Sequence, residues 1–362
     1  MQQDGFLSIL NWLSFTPDQR DALHTLRNIT IAQPTAASLL MEDLQALIHS
    51  ADPLLITSQQ AQRTAFASLW ELYPALVLLQ AIPALEKQYE DCHISLDIMW
   101  DALADIPLWV ENFQRHTGRP GLAEYGWLTN HLRFRLFRLG RLEYIYNTSR
   151  VPAYGYRHRR TGNLCFLAQE KLRYTAAGAI AQEQDECWIS RYQRTAMGAA
   201  GHLISSKGSV SQETTHLSTE DWALFLSPKD PILDVHIPEG PPLLLETVMQ
   251  SLESALPFFA NKLGITGVAA FTCGSWLMSP SLPILAPGSR IAAFQQMFHV
   301  VPYTVRDNQI FERVYGRPFS IWEDMPMQTH LQRAVRDWYL LGNNCRQMQG
   351  VYLLPERERE CL

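Results

Sequence analysis

The chain has 362 residues, of which 47% are hydrophobic, and its formal net charge is -6 at pH 7. This acidic balance argues against a nucleic-acid partner, because phosphate contacts need concentrated Lys and Arg. No apolar run approaches the ~20 residues that span a membrane, and no charged-then-apolar signal peptide opens the chain. We therefore expect a cytoplasmic protein with no membrane partner, and the length favours two domains over one.

The six cysteines are scattered along the chain, at positions 92, 165, 187, 273, 345 and 361. None of them forms a C-x-x-C pair, which favours reduced thiols over disulfides or a zinc site. We accordingly expect no metal ligands in this sequence.

Residues 1–132 predict a helical N-terminal domain. Thr16, Pro17 and Asp18 have the pattern of an N-cap, a first-turn proline and an acidic first-turn residue. Pro74 and Pro83 are expected to break or kink the apolar stretch around them. For four of the tryptophans of this domain, core packing is favoured over an aromatic ligand pocket, namely for Trp12, Trp70, Trp100 and Trp109.

The second domain is predicted to cover residues 133–362. A linking helix is expected over residues 125–138, and residues 139–146 alternate like a half-buried strand. Two basic clusters could contact phosphate, but a solvated helix face and an exposed hairpin tip are the favoured interpretations. These clusters are Arg133, Arg135, Arg138 and Arg141, and the run from Arg157 to Arg160.

Residues 163–175 and 187–194 predict two strands that pair as a hairpin. Between them and the next strand, residues 197–219 are rich in Gly, Ser and Thr. We interpret this segment as a flexible loop or lid, because predicted strands of one sheet flank it.

A strand, a tight loop, a helix and a second strand follow one another between residues 232 and 276. Residues 232–237 are a short apolar run, residues 243–259 carry apolar side chains at helical spacing, and residues 267–276 are nearly continuously apolar. This crossover predicts a parallel or splayed strand pair. The loop at 239–242 then lies where open sheets bind ligands and where a helix start favours phosphate.

These residues resemble a known family, the bacterial GNAT-like acyltransferases with a helical N-terminal domain before a GNAT-like C-terminal domain. The resemblance extends to the end of the chain and rests on RLGRLEY at 138–144, DVHIPEGPPL at 234–243, FTCGSWLMSPSL at 271–282, SRIAAFQQMF at 289–298, THLQRAVRDWYLLGN at 329–343 and GVYLL at 350–354. It implies an α+β fold in which helices flank a mixed β-sheet. It also implies acyl transfer from acetyl-CoA or a longer acyl-CoA to a small-molecule acceptor, usually an amine.

The resemblance places the coenzyme along HIPEGPPL and the adjacent strand end. The implied coenzyme-binding residues are Ile237, Pro238, Gly240, Leu243, Leu244, Cys273 and Ser275. Pro241 and Pro242 have no N–H to donate, so fewer donors are expected for a pyrophosphate than in the common GNAT loop.

Three residues are candidates for acid–base chemistry. Glu239 on the loop and His236 at the strand end could deprotonate the amine, although His236 could equally be a buried, hydrogen-bonded histidine. Tyr303 could protonate the leaving thiolate or be an ordinary half-buried tyrosine. Cys273 could act as a nucleophile, but a small buried hydrophobe is favoured. Gly274 stands where the family often has histidine, which weakens a mechanism based on that residue.

The alternative function is a noncatalytic binding or sensor protein. The proline pair and Gly274 favour this alternative, whereas the strand–helix–strand core fits both, since a fold does not fix a function. The acceptor, the acyl chain length and the oligomeric state leave no pattern in the sequence.

Overall fold

The computed structural model describes residues 5–303, 308–316, 319 and 321–354 of the chain. Its helices are, in chain order, α1 (Gly5–Trp12), α2 (Pro17–Ala32), α3 (Pro34–His49), α4 (Gln59–Phe66), α5 (Tyr73–Asp91), α6 (Leu96–Leu103), α7 (Asp105–Thr117), α8 (Tyr125–Leu132), α9 (Leu245–Leu263), α10 (Leu282–Leu285), α11 (Arg290–Gln296), α12 (Asn308–Tyr315) and α13 (His330–Leu340). Short 3-10 helices cover Ala67–Leu72, Trp276–Met278 and Trp322–Asp324.

The strands begin only after α8, which agrees with the predicted order of a helical N-terminal domain and a domain with a mixed sheet. They are β1 (Leu136–Leu139), β2 (Leu142–Thr148), β3 (Ala153–His158), β4 (Leu164–Ala168), β5 (Arg173–Tyr174), β6 (Trp188–Ile189), β7 (Tyr192–Arg194), β8 (Gly198–Ile204), β9 (Val210–Ser218), β10 (Trp222–Leu226), β11 (Pro231–His236), β12 (Ala270–Ser275), β13 (His299–Pro302) and β14 (Met348–Tyr352).

The N-terminal helices pack around α5, whose residues from Tyr73 to Leu79 are all buried. The predicted cap of α2 is confirmed, since the Thr16 side chain accepts a hydrogen bond from the Gln19 amide. Pro74 lies in the first turn of α5, and the helix continues through Pro83, so a break at either proline is wrong. A kink at Pro83 stays a prediction. The helical stretch Gln59–Asp91 is long and apolar enough to cross a membrane, but 61% of its most apolar window is buried inside the protein, as in a core helix.

The four tryptophans pack less deeply than predicted. Trp70, Trp100 and Trp109 are partly buried against the core. Trp12 is 67% exposed and stacks on Trp100, with the ring centroids 5.7 Å apart. These two residues line a cavity of about 450 Å³ beside Pro83, so core packing is wrong for Trp12.

The main sheet is mixed and has the order β1-β2-β11-β12-β14-β13. Only β11 and β12 run parallel among its described pairs, and α9 crosses between them. The predicted strand–helix–strand unit is thus confirmed. Helix α11 is capped by Ser289, whose side chain accepts a hydrogen bond from the Ala292 amide.

The chain enters the main sheet earlier than predicted. The linking helix ends at Leu132, and residues 136–148 form the β1–β2 hairpin instead of a longer helix and one strand. Gly140 at the turn has φ +69°, a left-handed conformation that glycine adopts without steric cost. The boundary between the domains, at 132/133, stays a prediction.

A second sheet is inserted between β2 and β11 and has the order β10-β3-β4-β8-β7, with β9 paired to β8. The hairpin predicted for residues 163–175 and 187–194 is confirmed only at the short β5–β6 pair, because β4 pairs with β3 and β8. The lid predicted for residues 197–219 is wrong. Those residues form the antiparallel β8–β9 hairpin.

One continuous hydrophobic core joins the helical region to the main sheet. It contains Leu10, Leu72 and Leu128 from the helices together with Phe137 and Phe271 from the strands. Tyr89 of α5 packs against Phe137 of β1 at a centroid distance of 5.8 Å. The N-terminal helices therefore buttress the sheet that carries the candidate site.

Candidate active site

The candidate site begins where the parallel strands β11 and β12 separate. Their ladder joins Ile232–Asp234 to Ala270–Thr272, and no described pair joins them beyond Asp234 and Thr272. Both strands nevertheless continue, held on their outer sides by the pairs His236–Glu143 and Ser275–Met348. The two facing edges thus offer backbone groups to an extended ligand, because the strands that hold them bond only to their outer sides.

A cavity of about 130 Å³ lies at this opening. It is lined by Arg150, Asp234, Val235, His236, Gly274, Tyr303, Gln347 and Gln349. The structure therefore brings together two of the predicted catalytic residues, His236 and Tyr303. The third, Glu239, is exposed on the following loop and does not line this cavity.

His236 is held by aromatic packing and by its strand partner. Its ring lies 4.6 Å from the Trp127 ring, between centroids, and Glu143 is its direct partner across β2. Burial lowers the pKa of His236, while the charge of Asp234 opposes that shift. The imidazole is therefore neutral at pH 7 and able to accept a proton.

Asp234 lines the same cavity and is tied to its neighbours. The Thr272 hydroxyl and the Asn147 amide both donate hydrogen bonds to its carboxylate, the second at 3.0 Å. These two bonds join the three central strands just before the opening. The Asp234 side chain is thereby held in place two residues from His236.

Gly274 has no side chain, and the space beside it is occupied by Gln349 of the neighbouring strand β14. A Cβ at this position would lie 2.9 Å from Oε1 of Gln349. A histidine at 274 would therefore displace Gln349 from the cavity. The structure thus gives a packing reason for the departure from the family pattern at this position.

The loop after β11 is held by a buried arginine. Arg141 donates hydrogen bonds to the carbonyl oxygens of Pro238 and Pro241, at 3.0 and 2.7 Å. Arg133 and Arg138 likewise donate to backbone carbonyls, of Ser50 and Asp101. These described contacts are structural, so they support neither a solvated helix face nor a phosphate site for the three arginines.

Helix α9 starts two residues later than predicted. The two prolines therefore do not reduce the number of amide donors in its first turn. Its first residue is Leu245, and its N-cap is Leu244, which makes no side-chain capping bond. Pro241 and Pro242 therefore precede the helix and remove no amide from its first turn. The amides of Leu245, Glu246 and Thr247 lie at the positive end of a 19-residue helix, where phosphate binds favourably.

The other residues predicted to contact coenzyme are distributed along this loop and strand end. Gly240 and Leu244 are exposed, Ile237 is half-buried, and Pro238 and Leu243 are buried. Gly240 has φ +146°, a backbone conformation that other residues rarely adopt. Whether these residues touch coenzyme stays a prediction.

Cys273 and Ser275 lie on β12 beyond the last ladder pair. Burial, assisted by the charge of Asp234, raises the pKa of the Cys273 thiol to about 12. A thiol of this kind stays protonated at neutral pH, which supports the small buried hydrophobe over the nucleophile. The Ser275 hydroxyl accepts a hydrogen bond from the Leu277 amide and caps the short helix Trp276–Met278.

Several cavity residues escaped prediction because they come from distant parts of the chain. Arg150 follows β2, while Gln347 and Gln349 belong to the β14 region, more than 100 residues after β11. Polar side chains of this kind are common on exposed strands and carry no local signal. Only the pairing of β12 with β14 brings Gln349 opposite Gly274.

A buried polar cluster lies between the N-terminal helices and β2, the strand that pairs with His236. It consists of Asp105 of α7, His131 of α8 and Glu143 of β2. Burial is the main cause that raises the pKa of Glu143 to about 9 and that of Asp105 to about 6. No sequence pattern indicated this cluster, because its members are separated by 26 and 12 residues (131 − 105 and 143 − 131).

The separated strands, the free helix start and the polar opening define a GNAT-like protein. The chain matches two family models, an N-acyltransferase N-terminal domain at residues 6–134 and a GNAT-like C-terminal domain at residues 136–352. The chain therefore belongs to the GNAT-like N-acyltransferase family that combines these two domains. No curated protein matches it.

Solved structures of acyltransferases have the same fold. A mutant acyltransferase in complex with octanoyl-CoA is 18% identical, with a TM-score of 0.67, and the match covers 98% of this chain and 89% of that one. An acyltransferase in complex with decanoyl-CoA and teicoplanin is 20% identical, with a TM-score of 0.64, covering 96% and 87%. An acyltransferase in complex with CoA and 10C-teicoplanin is 19% identical, with a TM-score of 0.65, covering 98% and 88%.

Proposed function

We propose that this protein transfers an acyl group from an acyl-CoA thioester to an amine on a small-molecule acceptor. The observation that carries the proposal is the opening between β11 and β12, with the free first turn of α9 beside it. Family membership supports the reaction class. The solved acyltransferases with octanoyl-CoA, decanoyl-CoA and teicoplanin support a medium-length acyl chain and a bulky acceptor.

The coenzyme is proposed to extend from the first turn of α9 into the opening. The amides of Leu245, Glu246 and Thr247 would bind its pyrophosphate, since they have no side-chain cap. The unpaired edges of β11 and β12 would bond the pantetheine amides. This arrangement brings the thioester to the cavity that His236 and Tyr303 line.

His236 is proposed as the base and Tyr303 as the acid. His236 accepts a proton from the acceptor amine, whose nitrogen then attacks the thioester carbonyl carbon. The C–S bond breaks as the tetrahedral intermediate collapses, and the Tyr303 hydroxyl gives its proton to the leaving thiolate. Glu239 is the second candidate for the base, because it lies on the loop that follows His236.

Turnover of wild type and variants tests these assignments. Release of free CoA from octanoyl-CoA is followed with a panel of amine acceptors, in wild type, His236→Gln, Tyr303→Phe and Glu239→Gln. We expect His236→Gln to lower kcat by about 10²- to 10⁴-fold, the typical contribution of a general base. His330→Gln, which changes an exposed histidine at the start of α13, is the matched control.

The same assay separates the alternatives. Loss of turnover in Glu239→Gln with normal turnover in His236→Gln would move the base to the loop. Binding of octanoyl-CoA without turnover on any amine would favour the noncatalytic binding protein. The cytoplasmic location is also a proposal, supported by the five described cysteines, all of which are free thiols.

A further inference from the structure

Three side chains with metal-binding chemistry meet between the helical region and the main sheet. Nε2 of His131 lies 3.8 Å from Oδ2 of Asp105 and 4.0 Å from Oε1 of Glu143. When one ligand atom is taken from each residue, the three atoms all lie within 4.8 Å of one another. The three residues belong to α7, α8 and β2, so the cluster joins three separate elements.

The polar atoms of this cluster are buried without hydrogen-bond partners. The exposed fractions are 5% for Asp105, 1% for His131 and 1% for Glu143. Among the described residues, no hydrogen-bond partner contacts Oδ1 of Asp105, Nε2 of His131 or Oε1 of Glu143. Buried polar atoms are nearly always paired, so these unpaired atoms on three neighbouring side chains indicate a missing partner.

The charge of the cluster points to a cation as that partner. Within the described chain, the only ion pairs of Asp105 and Glu143 are their long contacts to His131. The nearby Arg141 instead uses its guanidinium on the carbonyl oxygens of Pro238 and Pro241. The charges of Arg138 and Arg141 act on Glu143, and Arg138 also acts on Asp105, but no described ion pair joins them. Two buried carboxylates without an arginine or lysine ion pair require protons or a bound cation.

The donor set suits a divalent transition metal. One imidazole nitrogen and two carboxylate oxygens resemble the three protein ligands of zinc sites that keep an open position. Metal–ligand bonds of about 2.0–2.2 Å place neighbouring ligand atoms about 3–3.5 Å apart. The observed separations are 3.8 and 4.0 Å, and the third pair lies within 4.8 Å, so an inward movement of the side chains is needed to bind an ion.

We propose that Asp105, His131 and Glu143 bind one divalent metal ion of the zinc type. The ion ties α7 and α8 to β2, and so fastens the helical region to the sheet. It also lies behind the cavity, because Glu143 is the strand partner of His236, and the Trp127 ring contacts both histidine rings. This proposal does not depend on the proposed acyl transfer.

Direct metal binding by the full-length protein tests the proposal. The purified protein is freed of metal with a chelator and titrated by calorimetry with Zn²⁺, Mn²⁺ and Co²⁺ in separate runs. Bound Co²⁺ also reports its coordination through its visible absorption. The variants are Glu143→Gln and His131→Gln, and His330→Gln is the control for adventitious binding to an exposed histidine.

We expect one equivalent of Zn²⁺ to bind and to raise the melting temperature, because the ion stabilises only the folded state. Affinity should fall at least about tenfold in Glu143→Gln and stay unchanged in His330→Gln. Absence of binding by all three ions, with an unchanged melting temperature, would overturn the proposal and leave water or shared protons as the partner. Equal binding by wild type and Glu143→Gln would also overturn it. If His131→Gln does not fold, the titration of wild type and its comparison with Glu143→Gln still decide whether the metal site exists.

Discussion

At the scale of single residues, His236 is half-buried and lines the cavity at the opening. The ring packs on Trp127, and its burial lowers the pKa of the imidazole below the ordinary value of 6.5. A lowered pKa keeps the neutral base present as the pH falls, so activity should persist below pH 6.5. We expect the acid limb of the kcat/KM profile to have its midpoint below 6.5.

The pH profile of His236→Gln completes this prediction. Removal of the imidazole should abolish the acid limb as well as lower the rate. The measurement is kcat/KM for octanoyl-CoA between pH 5 and 9. A limb that stays in His236→Gln, or a wild-type midpoint above 6.5, would contradict the assignment of His236 as the base.

His299 gives a second prediction at the scale of single residues, which concerns the pH dependence of folding stability. Its ring stacks on Phe166 with centroids 4.2 Å apart, and burial lowers its pKa to about 4, opposed by a backbone hydrogen bond to Ile204. The unfolded chain takes up a proton near the ordinary pKa of 6.5, before the folded chain does. Its stabilising contribution is therefore complete above pH 6.5 and is lost as the pH falls towards 4.

Urea unfolding at pH 7 and pH 4.5 measures this effect. Wild type should lose roughly 1–2 kcal/mol more of its free energy of unfolding than His299→Gln does, after allowance for screening of the half-buried ring. His216→Gln, an exposed histidine on β9, should behave as wild type. Equal losses in wild type and His299→Gln would show that this histidine does not titrate as described.

At the scale of secondary structure, the first turn of α9 supplies the proposed phosphate donors. Leu245→Pro removes one amide at a helix position that tolerates proline, and Leu244 already has the extended backbone that must precede it. Hydrogen bonds to charged groups contribute about 1.5–3 kcal/mol. We expect CoA affinity to fall about 10- to 100-fold, measured by calorimetry.

Leu245→Ala is the matched control for that substitution. It removes the same half-exposed side chain but keeps the amide, so its CoA affinity should match wild type within about threefold. Comparable losses in both variants would assign the effect to the leucine side chain. An unchanged affinity in Leu245→Pro would remove this helix start from the coenzyme site.

The elements also show what local patterns can and cannot predict. Residues 232–276 were predictable because apolar spacing changes there from that of a strand to that of a helix and back. The β8–β9 hairpin was not, because its glycines look like loop residues. A Cβ at Gly198 would lie 2.3 Å from the Leu217 carbonyl oxygen, so this glycine permits close strand contact and does not provide flexibility.

At the scale of the whole molecule, the helical region and the main sheet share one core. Phe134 and Phe137 pack on Tyr89 of α5, and Lys262 at the end of α9 donates to the His93 carbonyl oxygen at 2.8 Å. Separation at 132/133 would expose this apolar surface on both sides. The two predicted regions are thus not expected to be independently stable.

Expression of residues 1–132 and 133–362 as separate chains tests this expectation. Each fragment alone should lack a cooperative thermal transition and should bind a hydrophobic dye, whereas co-expression should restore a folded complex. Circular dichroism and dye fluorescence measure both properties. Cooperative melting of either fragment by itself would show that its part of the core is self-sufficient.

The polar features of the whole molecule were the least predictable from the sequence. The fold class and the position of the candidate site follow from apolar periodicity and family motifs, which are local. The cavity residues Gln349 and Arg150, and the buried cluster around His131, depend on which distant elements pack together. Such contacts are decided by tertiary structure and leave no spacing in the chain.

Acyl-CoA is proposed to bind at the opening between β11 and β12. The most direct test of this proposal is a calorimetric titration of decanoyl-CoA into the purified full-length protein, with CoA and decanoate as separate ligands. We predict one binding site, tighter for decanoyl-CoA than for CoA, and no binding of decanoate alone. A folded protein that binds neither decanoyl-CoA nor CoA would contradict the account.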